Sequence, residues 1–163
     1  MTAQRVGVIG LGTMGGPMAR RLLAHGYDVV GCDVVAERAE ELKRAGGAIA
    51  GSPIEVASQV DRLLTSLPTL ATIEGVWLGP DGIVEAARPG FIGLDMSTSV
   101  PTLSQKIGAA IAERGARFLD CPVSGSSPAA EDGSLVIMGG GDRAAFEAVQ
   151  DILHVLGKLA VHC

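Results

Sequence analysis

Residues 10–15 read Gly10-Leu11-Gly12-Thr13-Met14-Gly15. They follow a run rich in β-branched side chains, Arg5–Ile9, which predicts a strand, and they open a segment with apolar residues at helical spacing, Thr13–Ala24. A G-x-G-x-x-G pattern between a strand and a helix is typical of a dinucleotide-binding turn. The first glycine permits the tight turn, the second lets a pyrophosphate approach the backbone, and the third lets helix and strand pack closely. We therefore predict that all six residues bind a dinucleotide whose pyrophosphate lies at the helix N-terminus.

An acidic residue follows at the spacing that this kind of turn requires. Asp33 comes directly after the second predicted strand, Asp28–Cys32, and lies 18 residues beyond Gly15. A carboxylate at about this distance accepts hydrogen bonds from the ribose hydroxyls and repels a 2′-phosphate. The next residues, Val34 to Ala36, supply no arginine that would pair with such a phosphate. The sequence therefore predicts NAD rather than NADP, with Asp33 and Val34 at the adenosine half; a solvated acid beside a glycine loop is the alternative.

Short apolar runs alternate with helical patterns along the chain. This alternation predicts one Rossmann-type α/β domain over residues 1–163, with a doubly wound, mostly parallel sheet and helices on both faces. The segment Pro122–Gly133, rich in Ser, Pro and Ala, is predicted to be a loop. The predicted strands are Arg5–Ile9, Asp28–Cys32, Arg62–Ser66, Phe91–Asp95, Phe118–Cys121, Ser134–Met138 and Leu159–His162. The predicted helices are Thr13–Ala24, Val35–Arg44, one beginning at Ser52-Pro53, Leu70–Trp77, Ser99–Arg114 and Asp142–Leu156.

The composition limits the function classes. Apolar residues make up 47% of the 163 residues and charged residues 19%, which excludes a disordered chain. Acidic residues outnumber basic ones by 18 to 13 and aromatics make up only 3%, so we expect no nucleic-acid partner. Every apolar run is shorter than the ~20 residues of a membrane span, so we expect no membrane partner. The three cysteines, Cys32, Cys121 and Cys163, are widely spaced, which favours a cytoplasmic location, and we expect no metal site.

Four segments, in order along the chain, carry a family pattern: Ile9–Leu23, Ser66–Pro68, Asp95–Thr98 and Asp120–Gly125. Together they resemble the β-hydroxyacid dehydrogenase family, which includes 3-hydroxyisobutyrate dehydrogenase, glyoxylate/succinic semialdehyde reductase and, more distantly, 6-phosphogluconate dehydrogenase. The resemblance implies hydride transfer between a nicotinamide cofactor and a small hydroxy acid or its semialdehyde. The protein supplies the orientation of the two molecules, while the hydride chemistry belongs to the cofactor.

The resemblance also assigns roles to residues outside the glycine-rich turn. Leu67, Pro68 and Thr72 would lie along the cofactor, and Ser97 and Thr98 would reach its nicotinamide side. The resemblance implies that the substrate is bound by Ser124, Gly125 and Ser126.

The family's general acid/base is a lysine in a Lys-x-x-x-Asn pattern, at the start of an all-helical second domain. None of Lys43, Lys106 and Lys158 has that context. We therefore expect no catalytic residue in this chain, the family lysine beyond Cys163, and a homo-oligomer at full length. Two alternatives stay open: a non-catalytic dinucleotide-binding module that is complete at this length, and an S-adenosylmethionine methyltransferase, which also has a glycine-rich turn and an acid after the second strand.

Ser126 stands where hydroxyisobutyrate-type enzymes have glycine. Residues 126–133 are more similar to the glyoxylate/succinic semialdehyde branch, which commonly uses NADP, whereas Asp33 favours NAD. The subfamily is therefore left open.

Several other residues have structural interpretations. We predict that Trp77 and Phe146 lie in the core and that Cys121 is a buried thiol at a strand end. Arg21, where the family usually has asparagine, is assigned to helix packing or surface.

Overall fold

The computed structural model describes residues 3–163. Within that range the chain forms nine strands and nine helices. The strands are β1 (Arg5–Ile9), β2 (Asp28–Cys32), β3 (Ala48–Ile49), β4 (Arg62–Thr65), β5 (Ile92–Asp95), β6 (Arg117–Asp120), β7 (Val123–Ser124), β8 (Leu135–Gly141) and β9 (Gly157–His162). The helices are α1 (Gly15–Ala24), α2 (Ala36–Arg44), α3 (Pro53–Ala57), α4 (Leu70–Leu78), α5 (Ile83–Ala86), α6 (Pro101–Glu113), α7 (Ser127–Asp132), α8 (Arg143–Ala148) and α9 (Gln150–Leu156).

Six strands pair in parallel in the order β3-β2-β1-β4-β5-β6. Strand β8 then runs antiparallel to β6, and it pairs with β7 antiparallel and with β9 parallel. The predicted Rossmann-type fold with a mostly parallel sheet is confirmed. Between β1 and β4 the order of the strands reverses, and in open sheets of this kind ligands bind at that point, beyond the carboxyl ends of the strands.

Two predicted elements are wrong. The segment Pro122–Gly133 contains β7 and α7, because Val123–Ser124 pairs with β8 and the left-handed Gly133, at φ 75°, ends a short helix. The predicted helix Asp142–Leu156 is divided at Val149 into α8 and α9. The sequence also gave no signal for β3 and α5, which at two and four residues are too short for a periodic pattern.

The register aligns the carboxyl ends of five parallel strands. Cys32, Ile9, Thr65, Asp95 and Asp120 form one row across the sheet. Each is the last residue of its strand, so the loops that follow all leave the sheet at the same edge. The residues that the sequence assigns to cofactor or substrate lie in these loops or in the first residues of the elements that follow them.

Two apolar clusters hold the layers together. Neighbouring residues of one strand divide between them, as Leu63 and Leu64 do, because alternate side chains of a strand point to opposite faces. Trp77 and Phe146 are buried, as predicted, and Gly93 leaves room for the Trp77 ring because a Cβ there would overlap the indole. Among the helices described, none has the length and apolar character required to cross a membrane.

Arg21 joins α1 to the helices beside it. Its guanidinium donates hydrogen bonds to the carbonyl oxygens of Val155 in α9 and Glu131 in α7. These contacts agree with the helix-packing role that the sequence suggested.

Candidate functional site

A cavity of about 600 Å³ opens at the carboxyl ends of β1, β2 and β4. Nine of the residues predicted to bind the cofactor line it. They are Gly10, Gly12, Thr13 and Met14 from the glycine-rich turn, Asp33 and Val34 after β2, and Leu67, Pro68 and Thr72 between β4 and the first turn of α4. The structure therefore brings together three segments that the sequence had assigned to one ligand.

The three glycines of the turn have different roles. Gly10 has φ +88°, and Gly15 approaches the backbone so closely that a Cβ would overlap the Gly10 carbonyl oxygen. These two glycines are required for the turn itself. Gly12 faces open space, because a Cβ there would meet nothing closer than the Arg38 guanidinium, at 3.5 Å. Gly12 is therefore the glycine that leaves room for a ligand.

The N-terminus of α1 faces this turn. Within the described residues no side chain caps the helix, and its first turn holds no acidic residue. The Gly16 N–H donates to the Gly12 carbonyl oxygen at 3.0 Å and Pro17 has no N–H, so it is the helix dipole that favours an anion at this position.

The Asp33 carboxylate is fixed against the turn. Its Oδ2 accepts a hydrogen bond from the Leu11 N–H and its Oδ1 accepts one from the Val35 N–H, both at 2.7 Å. Only 5% of the side chain is exposed. The side chain of Leu11 is buried and does not line the cavity. Its backbone N–H instead holds the Asp33 carboxylate in place. Val34 is fully exposed and offers an apolar surface at the cavity.

The expectation that no arginine lies near Asp33 is wrong. Arg38 lines the cavity, and its Nη1 lies 3.7 Å from Asp33 Oδ1. Helix α2 begins at Ala36, so its first turn brings residue 38 back towards β2, beyond the residues 34 to 36 on which the expectation rests. A basic residue in the first turn of the helix that follows Asp33 is the sequence feature that would have indicated Arg38. Gly51, Ser52 and Pro53 at the start of α3 also line the cavity and were not predicted.

The remaining predicted cofactor residues lie outside the cavity. Ser97 is 4% exposed, and its Oγ accepts a hydrogen bond from the Leu67 N–H at 2.8 Å, so it supports the Leu67–Pro68 wall from behind. Thr98 is exposed at the same edge of the sheet. Gly15 supports the turn through the close contact described above.

The three predicted substrate residues also lie outside this cavity. Ser124 pairs with Val136 of β8, Gly125 has φ +142°, and Ser126 precedes the first turn of α7. They follow β6, at the edge of the sheet that carries the cavity. Within residues 3–163 the structure shows no group of three or more His, Cys, Asp or Glu side chains arranged to hold a metal ion.

The cysteines provide a test of burial at this edge. Cys32 lines the cavity, and burial together with the Asp33 charge raises its pKa to about 12. Cys121 is fully buried, as predicted, and burial raises its pKa as well. Cys163 is exposed.

Because the thiolate is the reactive form, we expect iodoacetamide at pH 8 to alkylate Cys163 in the folded chain and to leave Cys32 and Cys121 unlabelled. Mass spectrometry of the peptides measures the labelling, and the unfolded chain, which should label at all three, is the control. Rapid labelling of Cys32 in the folded chain would contradict the described burial.

Comparison with known proteins extends these findings. A sequence profile of the NAD binding domain of 6-phosphogluconate dehydrogenase matches residues 5–163. Mouse mitochondrial 3-hydroxyisobutyrate dehydrogenase is 40% identical over 158 residues, which are 97% of this chain and 47% of the mouse protein. The chain spans about half the length of the curated relatives that it matches.

Solved structures give the same result. Psf3 in complex with NADP+ and 2-OPP has a TM-score of 0.93 and 30% identity, over 97% of this chain and 56% of Psf3. The 3-hydroxyisobutyrate dehydrogenase of Mycobacterium tuberculosis, determined with L-serine, has a TM-score of 0.92 and 29% identity, over 99% of this chain and 54% of that protein. The resemblance found in the sequence is therefore confirmed, and the chain belongs to the family of NAD binding domains of 6-phosphogluconate dehydrogenase.

Proposed function

We propose that this chain binds NAD in the cavity beside the glycine-rich turn and forms the cofactor half of a hydroxyacid dehydrogenase. The observation that carries the proposal is the pairing of an open space at Gly12 with an uncapped helix N-terminus and a fixed Asp33 carboxylate. The space at Gly12 and the helix N-terminus match the pyrophosphate of a dinucleotide, and the Asp33 carboxylate matches its ribose.

The rest of the proposed site follows from the same arrangement. The pyrophosphate lies against Gly12 and the N-terminal end of α1, and the adenine contacts Val34. Leu67 and Pro68 form the wall along the cofactor, with Thr72 beside them, and Thr98 reaches the nicotinamide side. The residues hold the cofactor and exclude water from one of its faces, and the bound cofactor supplies the hydride chemistry.

Substrate recognition is proposed for the segment after β6. Ser124, Gly125 and Ser126 are exposed, so two hydroxyls and a backbone without a side chain at Gly125 are available to a carboxylate. The relatives support a small hydroxy acid: one is named for 3-hydroxyisobutyrate, and another was determined with L-serine, and both molecules carry a carboxylate and a primary hydroxyl.

We expect the chain to bind NADH at least about tenfold more tightly than NADPH, a difference of ~1.4 kcal/mol. The Asp33 carboxylate is nearly buried, and a 2′-phosphate placed about 5 Å from it is repelled by on the order of 3 kcal/mol per unit charge at an effective dielectric constant near 20. Arg38 offsets part of this repulsion. Fluorescence titrations with both cofactors measure the ratio of dissociation constants.

Variants at Asp33 and Arg38 separate the effects of these two charges on the ratio of the dissociation constants. Asp33→Ala should narrow the ratio because the repelling carboxylate is lost, and Arg38→Ala should widen it because the attraction to the phosphate is lost. Asp33→Asn, of nearly the same size, serves as the control for shape. Equal or tighter binding of NADPH by the unmodified chain would show that Asp33 does not select the cofactor.

We also propose a cytoplasmic location and a homo-oligomeric state at full length. Three free cysteines suit a reducing compartment, whereas the mouse relative is named mitochondrial. Cell fractionation tests the location, and light scattering on the full-length protein tests the oligomer.

A further inference from the structure

Three polar residues are buried among residues 3–163, and they form one network. Thr65 and Asp95 are 0% exposed and Ser97 is 4% exposed. Asp95 Oδ1 accepts a hydrogen bond from the Thr65 hydroxyl at 2.8 Å and another from the Ser97 N–H at 3.1 Å. Removing a carboxylate from water is costly, so a carboxylate with this degree of burial requires such donors.

The network reaches the cavity by two routes. The Ser97 hydroxyl accepts a hydrogen bond from the Leu67 N–H at 2.8 Å, and Leu67 lines the cavity. The Thr65 hydroxyl accepts one from Trp77 Nε1 at 3.2 Å, and Trp77 belongs to α4, the helix that carries Thr72. Both the loop wall and the helix beside it are therefore tied to one carboxylate.

A third contact leads towards the segment after β6. The Cys121 N–H donates to the backbone carbonyl oxygen of Asp95 at 2.7 Å, and Asp95 pairs in register with Asp120. The Asp95 side chain thus contacts β4 and the Ser97–Thr98 segment. Its backbone carbonyl contacts the residue before the Pro122–Ser126 segment.

We propose that Asp95 is a positioning residue, which fixes the Leu67–Pro68 wall and α4 relative to the Ser97–Thr98 segment so that the cavity has the shape of its cofactor. The proposal rests on the function proposed above. The two hydrogen bonds accepted by Oδ1 join three segments to one buried atom, and a buried hydrogen-bond network makes the segments that it joins more rigid. The role depends on the accepting oxygen rather than on the negative charge.

The second carboxylate oxygen of Asp95 allows the effect of the accepting oxygen to be separated from the effect of the negative charge. Asp95 Oδ2 has no hydrogen-bond partner within the described residues. In Asp95→Asn the amide oxygen can therefore keep both accepted hydrogen bonds, while the NH₂ group takes the place of Oδ2 without facing a donor. Asp95→Ala removes the acceptor altogether, and Ser97→Ala removes only the hydrogen bond to Leu67.

The experiment measures NADH dissociation constants and the NMR signal of the Trp77 indole N–H, which is unique because the chain has one tryptophan. We expect Asp95→Ala to weaken NADH binding about tenfold or more and to shift the indole signal, and Asp95→Asn to stay within about threefold of the unmodified chain.

Ser97→Ala should weaken NADH binding about fivefold, and the double alanine variant should be little worse than Asp95→Ala because both changes break one chain of contacts. Ser104→Ala, which removes a buried hydroxyl that lies outside the network, is the matched control and should change neither measurement.

Each outcome decides the proposal. Equal losses of NADH affinity in Asp95→Ala and Asp95→Asn would assign the effect to the negative charge and overturn the proposal. Losses of NADH affinity that multiply in the double variant would also overturn it. If Asp95→Ala does not fold, Ser97→Ala and Asp95→Asn decide, and unchanged binding in Ser97→Ala overturns the proposal. If the unmodified chain does not bind NADH, the proposed function fails, and the indole signal alone then shows whether the Asp95 network positions α4.

Discussion

Gly12→Val should abolish NADH binding, with a dissociation constant raised more than about 100-fold, while the chain keeps its fold. The added Cβ and its branches would occupy the space proposed for the pyrophosphate. The protein itself tolerates the change, because the nearest atom to the new Cβ is the half-exposed Arg38 guanidinium at 3.5 Å and Gly12 has no left-handed backbone. Circular dichroism and a fluorescence titration on the same sample measure the two effects.

Gly75→Val is the matched control for this experiment. Gly75 is exposed on α4, and a Cβ there meets no atom within 4 Å, so the same substitution is made without touching the cavity. NADH binding within about threefold of the unmodified chain is expected for it, since exposed substitutions away from special features usually have small effects. Undiminished NADH binding by Gly12→Val would mean that the turn has only a structural role.

The placement of the glycine-rich turn beside Asp33 could be predicted because its signals are local in sequence. The spacing from Gly10 to Gly15 and the acid at position 33 are set by one strand–turn–helix–strand unit, whose geometry is largely independent of the rest of the fold. The structure therefore places Gly12 and Asp33 in one cavity, as expected. Apart from β3, the strands of the parallel part of the sheet could be predicted for the same reason, because each is a short apolar run between helical patterns.

Arg38 shows where this reasoning stops. The start of α2 is predicted to within one residue, but whether a side chain five residues beyond Asp33 returns to the cavity depends on how the helix lies against β2, which the local sequence does not specify. The short β7 could not be predicted either, since two residues have no periodicity and Val123–Ser124 is a strand only because β8 lies beside it. The Asp95 network is likewise formed by contacts between β4 and β5, which are 30 residues apart in the chain.

Residues 1–163 by themselves should bind NADH and yet turn over no hydroxy acid at a measurable rate. None of the three lysines is placed to act as the general acid/base of the proposed site. Lys43 and Lys158 are exposed on α2 and β9, Lys106 is paired with Glu74 on the outside of α4, and none of them lines the cavity.

The size of the effect follows from two contributions. General acid–base catalysis typically contributes about 10²–10⁴-fold. Holding the substrate carbon against the nicotinamide contributes up to ~7–11 kcal/mol more, and residues 1–163 match only 47% of the mouse protein, so we expect them to supply this positioning incompletely. We therefore expect a rate at least about 10⁴-fold below that of the mouse 3-hydroxyisobutyrate dehydrogenase at the same protein concentration.

The assay follows NADH formation from NAD with 3-hydroxyisobutyrate and with L-serine, the molecules named in the relatives. A cofactor titration on the same sample is the control, because inactivity is informative only where NADH binds. A rate within about tenfold of the mouse enzyme would mean that a catalytic group lies within these residues, since losing a general acid or base alone costs more than that. Lys106→Ala would then be the first variant to make, because α6 begins after the Ser97–Thr98 segment and carries a lysine beside α4.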